Sequence, residues 1–394
     1  MWISRAGGEV RHSRALRRLP VVLASLLVAC ASTPPSETPA AVPPPPPEVS
    51  TTPEPASPSI PTEPAASESV AAQTTLTVAA VGDIMLGTDF PQNILPDDDG
   101  IGFLVPVTPI LSAADITFGN LEGVLMDGGE PVKQCRDTSA CFLFRTPTRY
   151  AQYLSAAGFD VMSLANNHAH DFGEAGRSAG MLALEGVGIR HSGRDGDVAS
   201  WEVNGLRIAL IAFAPNIGAH SLNDYARAGE LVAELAQGHD IVIVSFHGGA
   251  EGADADTLPF AEEVFHGEAR GNVVTFAHTV IDAGADLVIG HGPHVPRALE
   301  LYQERLIAYS LGNFATYYGI SVEGPKGVAP ILLSELDASG RLVRGRIEST
   351  LQIRPGGPQP DLSRTAFTAM RALTEKAFGR DEFSFAEDGG FAPP

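Results

Sequence analysis

The chain has 394 residues, three cysteines and a formal net charge of −21 at pH 7. Residues 1–29 contribute five arginines and one glutamate, so the rest of the chain is more acidic still. Because binding to phosphate backbones needs clustered Lys and Arg, this charge argues against nucleic acid as a partner. It suits an extracytoplasmic protein that binds cations.

The first 29 residues have the pattern of a secretory signal peptide, with arginines followed by a short apolar run. The letters LVAC at residues 27–30 resemble a bacterial lipobox, which implies cleavage before Cys30 and lipidation of its sulfur. The alternative is an uncleaved apolar segment with an incidental cysteine. The lipobox predicts a protein of the cell envelope, lipid-anchored to a membrane. Ala31 resembles the residue found in lipoproteins sent to an outer membrane, which would place the protein on that side in a Gram-negative cell.

Residues 30–75 are rich in Pro, Ala, Ser, Thr and Glu. Such a segment has almost nothing apolar to bury, so we expect a disordered linker that acts as a spacer.

Residues 76–350 alternate between strand and helix patterns, which indicates an α/β domain with a largely parallel core and later antiparallel strands. The predicted strands are 76–81, 115–118, 160–165, 207–213, 240–246, 285–289, 306–311, 328–336 and 342–352. The predicted helices are 107–113, 150–157, 174–185 and 260–283. Residues 351–394 are interpreted as a C-terminal extension.

Polar side chains of the kind that bind metals follow five of these strands. They are Asp83, Asn120 with Glu122, Asn167 with His168, His247, and His291 with His294. Each alone has an ordinary structural explanation, such as a helix cap, a turn residue or a core histidine. Because sites in α/β folds gather at the carboxyl ends of the strands, their recurrence favours a metal centre. Oxygen ligands with imidazoles suit one or two divalent ions such as Mn, Zn or Fe.

Six motifs occur in order between about residues 76 and 340: GDIMLG, GNLEG, NNHAHDFG, FHGGAE, GHGPHV and SLGNF. In this order and spacing they resemble the poly-γ-glutamate capsule biosynthesis (CapA-type) family of the calcineurin-like metallophosphoesterase superfamily. The resemblance implies a four-layer α-β-β-α sandwich of metallophosphoesterase type, with mixed sheets and with ligands on loops at one edge.

The resemblance also implies roles for individual residues. The implied metal ligands are Asp83, Glu122, Asn167, His247 and His291. The implied catalytic groups are His168, Asp171, Glu251 and His294, with His294 at the rim of the site. His168 would act as an acid or stabilise developing charge, and either Asp171 or Glu251 would orient it.

Met85 departs from the phosphoesterase pattern, which has histidine at this position of the first motif. A thioether is a poor ligand for a hard divalent ion, so one of two metal positions is weakened or lost. This departure argues against ordinary two-metal phosphate hydrolysis.

Two classes of function remain open. The chain is either a metal-dependent enzyme acting on an anionic polymer such as poly-γ-glutamate, or an accessory subunit of a membrane synthase or exporter that grips this polymer. A plain phosphoesterase is a third possibility. Because the domain is acidic, either polymer function requires metal ions or a local basic cluster such as Arg136, Arg145 and Arg149.

Cys135 and Cys141 are separated by five residues. In an oxidising compartment this spacing predicts a local disulfide bond. Zinc binding by the pair would lack further ligands nearby.

Overall fold

The computed structural model describes residues 75–134 and 141–394. The predicted signal peptide, Cys30, nearly all of the predicted linker and Cys135 lie outside this range. Cys141 takes part in a disulfide bond, and its pairing with Cys135 stays a prediction. None of the helices in the described range has the length and apolar character needed to cross a bilayer.

Two large mixed β-sheets organise the described chain. The ten-stranded first sheet contains β1 (Thr75–Met85), β2 (Ile116–Leu121), β5 (Val161–Ser163), β6 (Arg190–Ser192), β16 (Asn313–Thr316), β17 (Val328–Asp337), β18 (Leu342–Gln352), β19 (Pro358–Pro360), β20 (Ser384–Phe385) and β21 (Gly390–Ala392). The seven-stranded second sheet contains β7 (Ala199–Val203), β8 (Leu206–Ala214), β9 (His220–Ser221), β10 (Ile241–His247), β13 (Leu287–His291), β14 (Leu299–Tyr302) and β15 (Arg305–Ala308).

Two small pairs and six α-helices complete the described fold. The pairs are β3 (Val124–Leu125) with β4 (Arg145–Thr146), and β11 (Glu263–Phe265) with β12 (Glu268–Gly271). The helices are α1 (Thr108–Leu111), α2 (Ala151–Ala157), α3 (Gly173–Glu185), α4 (Tyr225–Ala236), α5 (Val273–Asp282) and α6 (Thr365–Phe378).

The central strands are apolar on both faces because each face meets a different core. In β10, Ile241 and Ile243 belong to the core shared by the two sheets. The alternate residues Val242 and Val244 pack in a second core with α4 and α5. This is the period of two expected when both faces of a strand are buried.

The residues of β1 in the first sheet also alternate between two cores. Its residue Val78 faces the shared core, whereas Val81 packs in a third core with Leu154 of α2 and Leu184 of α3. Helices therefore cover the outer face of each sheet, and the predicted four-layer α-β-β-α sandwich with mixed sheets is confirmed.

The chain order makes the strands that carry the site parallel to each other. In the first sheet, β1, β2, β5 and β6 run parallel to their neighbours along the order β1-β2-β5-β6. In the second sheet, β8, β10, β13 and β15 do the same. Within each group the carboxyl ends lie at one edge, where the polar motifs begin.

The predicted helix over 260–283 is wrong. Its first half forms the hairpin of β11 and β12, and only its second half is helical, as α5. The residues between the two strands are His266 and Gly267, and both have positive φ, 49° and 83°. Two consecutive positive φ values are typical of a tight hairpin turn, which breaks the helical pattern.

Residues 351–394 continue the architecture of the domain. β19 and β21 both pair with β18, and α6 sends Phe367 and Met370 into the core between the sheets. The segment interpreted as a C-terminal extension thus lies in the same compact unit as the preceding residues.

Candidate metal centre

Asp83, Glu122 and His294 form the one group in the described residues whose His, Cys, Asp or Glu side chains could together hold a metal ion. One ligand atom from each lies within 4.8 Å of the others. The His294 Nδ1 is 3.0 Å from Asp83 Oδ2, and its Nε2 is 3.7 Å from Glu122 Oε1. Two carboxylates and an imidazole form a donor set suited to a divalent cation.

Asp83 is placed by the pairing of β1 with β2. The two strands are parallel, and Asp83 lies opposite Asn120. The Asn120 Nδ2 donates a hydrogen bond of 2.8 Å to Asp83 Oδ1. One carboxylate oxygen is thus held by the neighbouring strand, and the other lies beside His294.

His294 is delivered by a strained turn after β13. Its φ is +61°, an uncommon value for a residue with a side chain. Gly292 precedes it with φ +117°, and a Cβ atom there would lie 2.5 Å from the Gly248 carbonyl oxygen. Only glycine fits this close approach, and backbone strain of this kind is concentrated at functional sites.

His247 and His291 lie side by side on the second sheet. They are paired in register on the neighbouring parallel strands β10 and β13, so their side chains point to the same face. The His291 Nε2 donates to the Val81 carbonyl oxygen at 3.0 Å, which fixes the ring. Its Nδ1 and both ring nitrogens of His247 are buried without a partner in the described part of the chain. Burial lowers the pKa of both histidines, which favours the neutral form that binds metal ions.

Glu122 and His294 share an environment rich in negative charge. Burial raises the pKa of Glu122, and the carboxylates of Asp83 and Glu251 raise it further against the opposing effect of His294. Burial by itself would lower the pKa of His294, but the carboxylates of Glu122, Asp83 and Glu251 outweigh it and raise the pKa. Both shifts favour the protonated forms of these groups, and a divalent ion would compensate the same negative charge.

His168 is oriented by Asp171. The His168 Nδ1 lies 2.7 Å from Asp171 Oδ2, and the ring packs on Phe144 with centroids 4.1 Å apart. Lys133 Nζ pairs with the other Asp171 oxygen at 2.9 Å. Burial would raise the pKa of Asp171, but His168 and Lys133 outweigh it and lower the pKa. Of the two orienting groups left open by the sequence, Asp171 is therefore the one that holds His168.

The family of the chain follows from its similarity to known sequences. The sequence profile described as "Bacterial capsule synthesis protein PGA_cap" matches residues 77–318. The chain belongs to this family. The match contains Asp83, Glu122, His168, His294 and the other predicted metal-binding and catalytic residues.

Several named relatives are 27–29% identical to this PGA_cap chain within the aligned regions. "Capsule biosynthesis protein CapA" of Bacillus anthracis is 28% identical over 260 residues, covering 61% of this chain and 59% of the relative. "PGA biosynthesis protein CapA" of Bacillus subtilis is 27% identical over 259 residues, covering 61% of this chain and 63% of the relative. A "Probable polyglutamine synthesis accessory protein" of Mycobacterium tuberculosis is 29% identical, covering 52% of this chain and 57% of the relative. The aligned regions thus span less than two thirds of each relative.

Solved structures resemble the chain only weakly. They include a 5'-nucleotidase precursor from Thermus thermophilus, with a TM-score of 0.38, 18% identity and coverage of 76% of this chain and 58% of that chain. They also include GAP50, the anchor in the inner membrane complex of Plasmodium, with a TM-score of 0.34, 12% identity and coverage of 76% and 96%. Similarity at this level does not bear on the chemistry of the site.

The residues of the pocket fit a divalent ion independently of the family assignment. Both carboxylate oxygens of Glu122 and the Oδ1 of Asn167 are buried without a hydrogen-bond partner in residues 75–134 and 141–394. Unpaired buried acceptors are costly, and a cation would satisfy them. Asp83, Glu122 and His294 would hold such an ion. The Oδ1 of Asn167 and the Nδ1 of His291 are further atoms of the types that bind metal ions.

The structure also reassigns one residue and adds others. His294 was expected at the rim as a catalytic group, but it lies with Asp83 and Glu122 in the three-residue group. The Asn313 Oδ1 lies 2.9 Å from His294 Nδ1. Asn313 belongs to the SLGNF motif, but the sequence pattern predicts no role for it. No sequence motif marks Arg270 as a site residue, because the segment 260–283 that contains it has the pattern of a helix.

The predicted basic cluster is largely neutralised. The Arg145 Nε pairs with Asp89 at 2.6 Å, and Arg149 pairs with Asp99 at 2.5 Å. Arg136 lies outside the described residues. Arg145 and Arg149 therefore offer little free positive charge to a polyanion.

Proposed function

We propose that this chain is an envelope protein of poly-γ-glutamate capsule biosynthesis whose metal-dependent, hydrolase-like site acts on the anionic polymer. Membership of the PGA_cap family and the names of its relatives support the pathway. The observation that carries the proposed chemistry is the buried group of Asp83, Glu122 and His294, together with the unpaired oxygens of Glu122.

The residues of the pocket have separable tasks in this proposal. An ion held by Asp83, Glu122 and His294 would polarise a carbonyl group or activate a water molecule. His168 is held through Nδ1 by Asp171, and burial lowers its pKa, so the neutral ring has a free lone pair at Nε2. In this form Nε2 would take a proton from a water molecule, and the imidazolium so formed would stabilise an oxygen that gains negative charge or return the proton to the leaving group.

The amides around the pocket keep its ligands in place. Asn120 fixes Asp83, and Asn313 lies within hydrogen-bond distance of His294 Nδ1. Outer partners of this kind orient metal ligands and are usually needed for full metal affinity. This arrangement explains why asparagines accompany the ligand-type residues in the motifs.

The proposed location is the outer side of a membrane, to which a lipid on Cys30 would attach the protein. The support is the lipobox-like sequence and the following Pro-rich residues. A linker of this composition would let the domain reach a polymer at a distance from the bilayer. Membrane synthase or export proteins are the partners expected there.

The test combines metal analysis with polymer cleavage. Purified protein is analysed for bound Mn, Zn and Fe, and is then incubated with poly-γ-glutamate whose chain length is followed by size-exclusion chromatography. We expect shortening that chelator abolishes. Glu122→Gln should lose both the metal and the activity, because it removes a buried ligand. Glu230→Gln is the matched control, since the Glu230 side chain is 68% exposed and should change neither quantity.

Two other results would point elsewhere. Retained metal with no shortening would contradict the enzyme proposal and favour the accessory role. Hydrolysis of a phosphate monoester or diester without any effect on poly-γ-glutamate would favour the phosphoesterase.

A further inference from the structure

Arg270 is a buried cation beside the candidate metal centre. Its side chain, on β12, is 1% exposed. The Nε donates to the Gly249 carbonyl oxygen at 3.1 Å, and Nη1 donates to Glu268 Oε2 at 3.0 Å. The Nη2 makes no hydrogen bond with any described residue, although it lies within ion-pair distance of Glu251. A guanidinium that is almost fully buried therefore keeps a donor that is not used in a hydrogen bond.

Arg270 Nη2 lies close to the turn that carries the metal-centre histidines. A Cβ atom built on Gly292 would lie 3.2 Å from Arg270 Nη2. Gly292 stands between His291 and His294 in the chain. After burial, the charge of Arg270 is the next cause of the low pKa of His247. Arg270 thus acts on the same pocket as the candidate ligands.

The carboxylate of Glu251 lies where three donor groups converge. Its Oε1 forms an ion pair with Arg270 Nη2 at 3.1 Å and lies 3.4 Å from Asn167 Nδ2. Its Oε2 is 3.7 Å from His294 Nε2. These donors come from three separate segments of the chain, so the pocket is built to receive a carboxylate at this point.

The backbone around Glu251 is held firmly, so its side chain is the part that can move. Gly249 N–H donates to the Arg270 carbonyl oxygen at 2.8 Å, and Gly252 N–H donates to the Pro293 carbonyl oxygen at 3.2 Å. A rotation of the Glu251 side chain would uncover Arg270 without moving the loop.

We propose that Arg270 and Asn167 form a substrate-carboxylate site, which Glu251 fills until a free carboxylate of a γ-linked glutamyl chain replaces it. The identity of this ligand rests on the proposed function. A guanidinium matches the planar geometry of a carboxylate, and a buried Arg without a partner would be strongly unfavourable. Glu251 provides that partner in the free protein, and its terminal group has the same chemistry as the free carboxylate of each polymer unit.

The test is a binding experiment that does not depend on activity. The probe is the dipeptide γ-glutamylglutamate, compared with the same dipeptide carrying amides in place of all three of its free carboxylates, and affinity is measured by titration calorimetry on the full chain. Glu251→Gln should bind the dipeptide at least about tenfold more tightly than wild type, because the competing charge is gone. The amide probe should not show this gain.

The matched control is Glu268→Gln. Glu268 is the other carboxylate on Arg270, but it contacts Nη1 and its side chain is 40% exposed. Its loss changes the charge next to the same guanidinium without emptying the position of Glu251. We expect no gain in dipeptide affinity. An equal gain in both variants would show a general charge effect and would overturn the proposal.

Arg270→Gln in the Glu251→Gln background should remove the gain. If that double variant does not fold, the comparison of carboxylate and amide probes decides alone, since it needs no change at Arg270. The order of dipeptide affinities among wild type, Glu251→Gln and Glu268→Gln should be the same with chelator and with metal. A gain seen only with metal would mean that the carboxylate binds the ion, which contradicts a role for Arg270. Binding without polymer cleavage would refute only the proposed function, and cleavage without this binding pattern would refute only this inference.

Discussion

The buried pair of Glu263 and Arg297 fixes the loop that carries Glu251. Arg297 donates from Nη1 and Nη2 to the two Glu263 oxygens, at 2.9 and 2.7 Å. Glu263 also accepts the Ala250 backbone N–H at 2.9 Å. Glu263 is 6% exposed and Arg297 is 1% exposed. The perturbation that isolates this pair is Glu263→Gln, which keeps the shape of the side chain and removes its charge.

The expected loss of stability is large because Arg297 would remain buried without its counter-charge. Breaking one side of a buried ion pair typically costs about 3–5 kcal/mol. The total free energy of unfolding of a protein is about 5–15 kcal/mol. Glu263→Gln should therefore remove a substantial fraction of the stability, and the remaining folded protein should hold the Glu251 loop less firmly.

The measurement is the free energy of unfolding from urea titrations of wild type and variant, with equal slopes required for the comparison. The matched control is Glu230→Gln, which breaks an ion pair with Arg227 of similar length, 3.0 Å. Because those side chains are 55% and 68% exposed, the control should be close to wild type. A loss below about 1 kcal/mol for Glu263→Gln would place the pair in the range of surface ion pairs and refute the reasoning.

Three further predictions concern charge, cysteine chemistry and attachment. Burial disfavours the charged form of His191, but contacts with Asp197 at 2.9 Å and with a second carboxylate outweigh it and raise its pKa. The contribution of His191 to the free energy of unfolding should therefore be complete below about pH 6.5 and disappear as pH rises through the higher pKa of the folded state. A difference in free energy of unfolding between wild type and His191→Gln that does not change with pH would contradict this. Alkylation without prior reduction should leave Cys135 and Cys141 unlabelled, and full labelling would show free thiols. Cys30→Ser should release the protein from membranes in cell fractionation, and unchanged partitioning would count against the lipid anchor.

The strands were predictable because their apolar pattern comes from being buried on both faces. The sequences that became β1, β10 and β13 are short apolar runs ended by polar motifs, and the structure has strands there. The segment before α5 was misassigned because its apolar residues suit either a helix or a hairpin. There the positive φ values of His266 and Gly267 decide the outcome.

The candidate site was predictable only where its residues belong to motifs at strand ends. Asp83 lies near the end of β1 and Glu122 directly follows β2, and these two strands are neighbours in the first sheet. Their proximity could therefore be inferred from chain order. Arg270 and Lys133 enter the site from loops and a hairpin far from those motifs. Their positions depend on how separate segments pack, and no local pattern in the sequence carries that information.

Met85 tests whether the site retains a second metal position. Its side chain is 1% exposed and packs with Phe144 and Ile320 in a small apolar cluster. Phe144 in turn lies against His168. The thioether thus serves as an apolar filler beneath a predicted catalytic group, so Met85→Leu should keep the metal content of wild type. Because the swap conserves volume, its cost in stability should be below about 1.5 kcal/mol.

Met85→His places a polar ring in the same apolar cluster. Without metal, an imidazole lacking partners there should cost about 1–3 kcal/mol of stability. If the ring reaches the position that phosphoesterases use, added Mn or Zn should restore stability and raise the metal content above that of wild type. Thermal unfolding with and without metal, combined with metal analysis, measures both effects. Loss of metal from Met85→Leu would show that the sulfur itself is a ligand, and the single group of Asp83, Glu122 and His294 would then be an incomplete description of the centre.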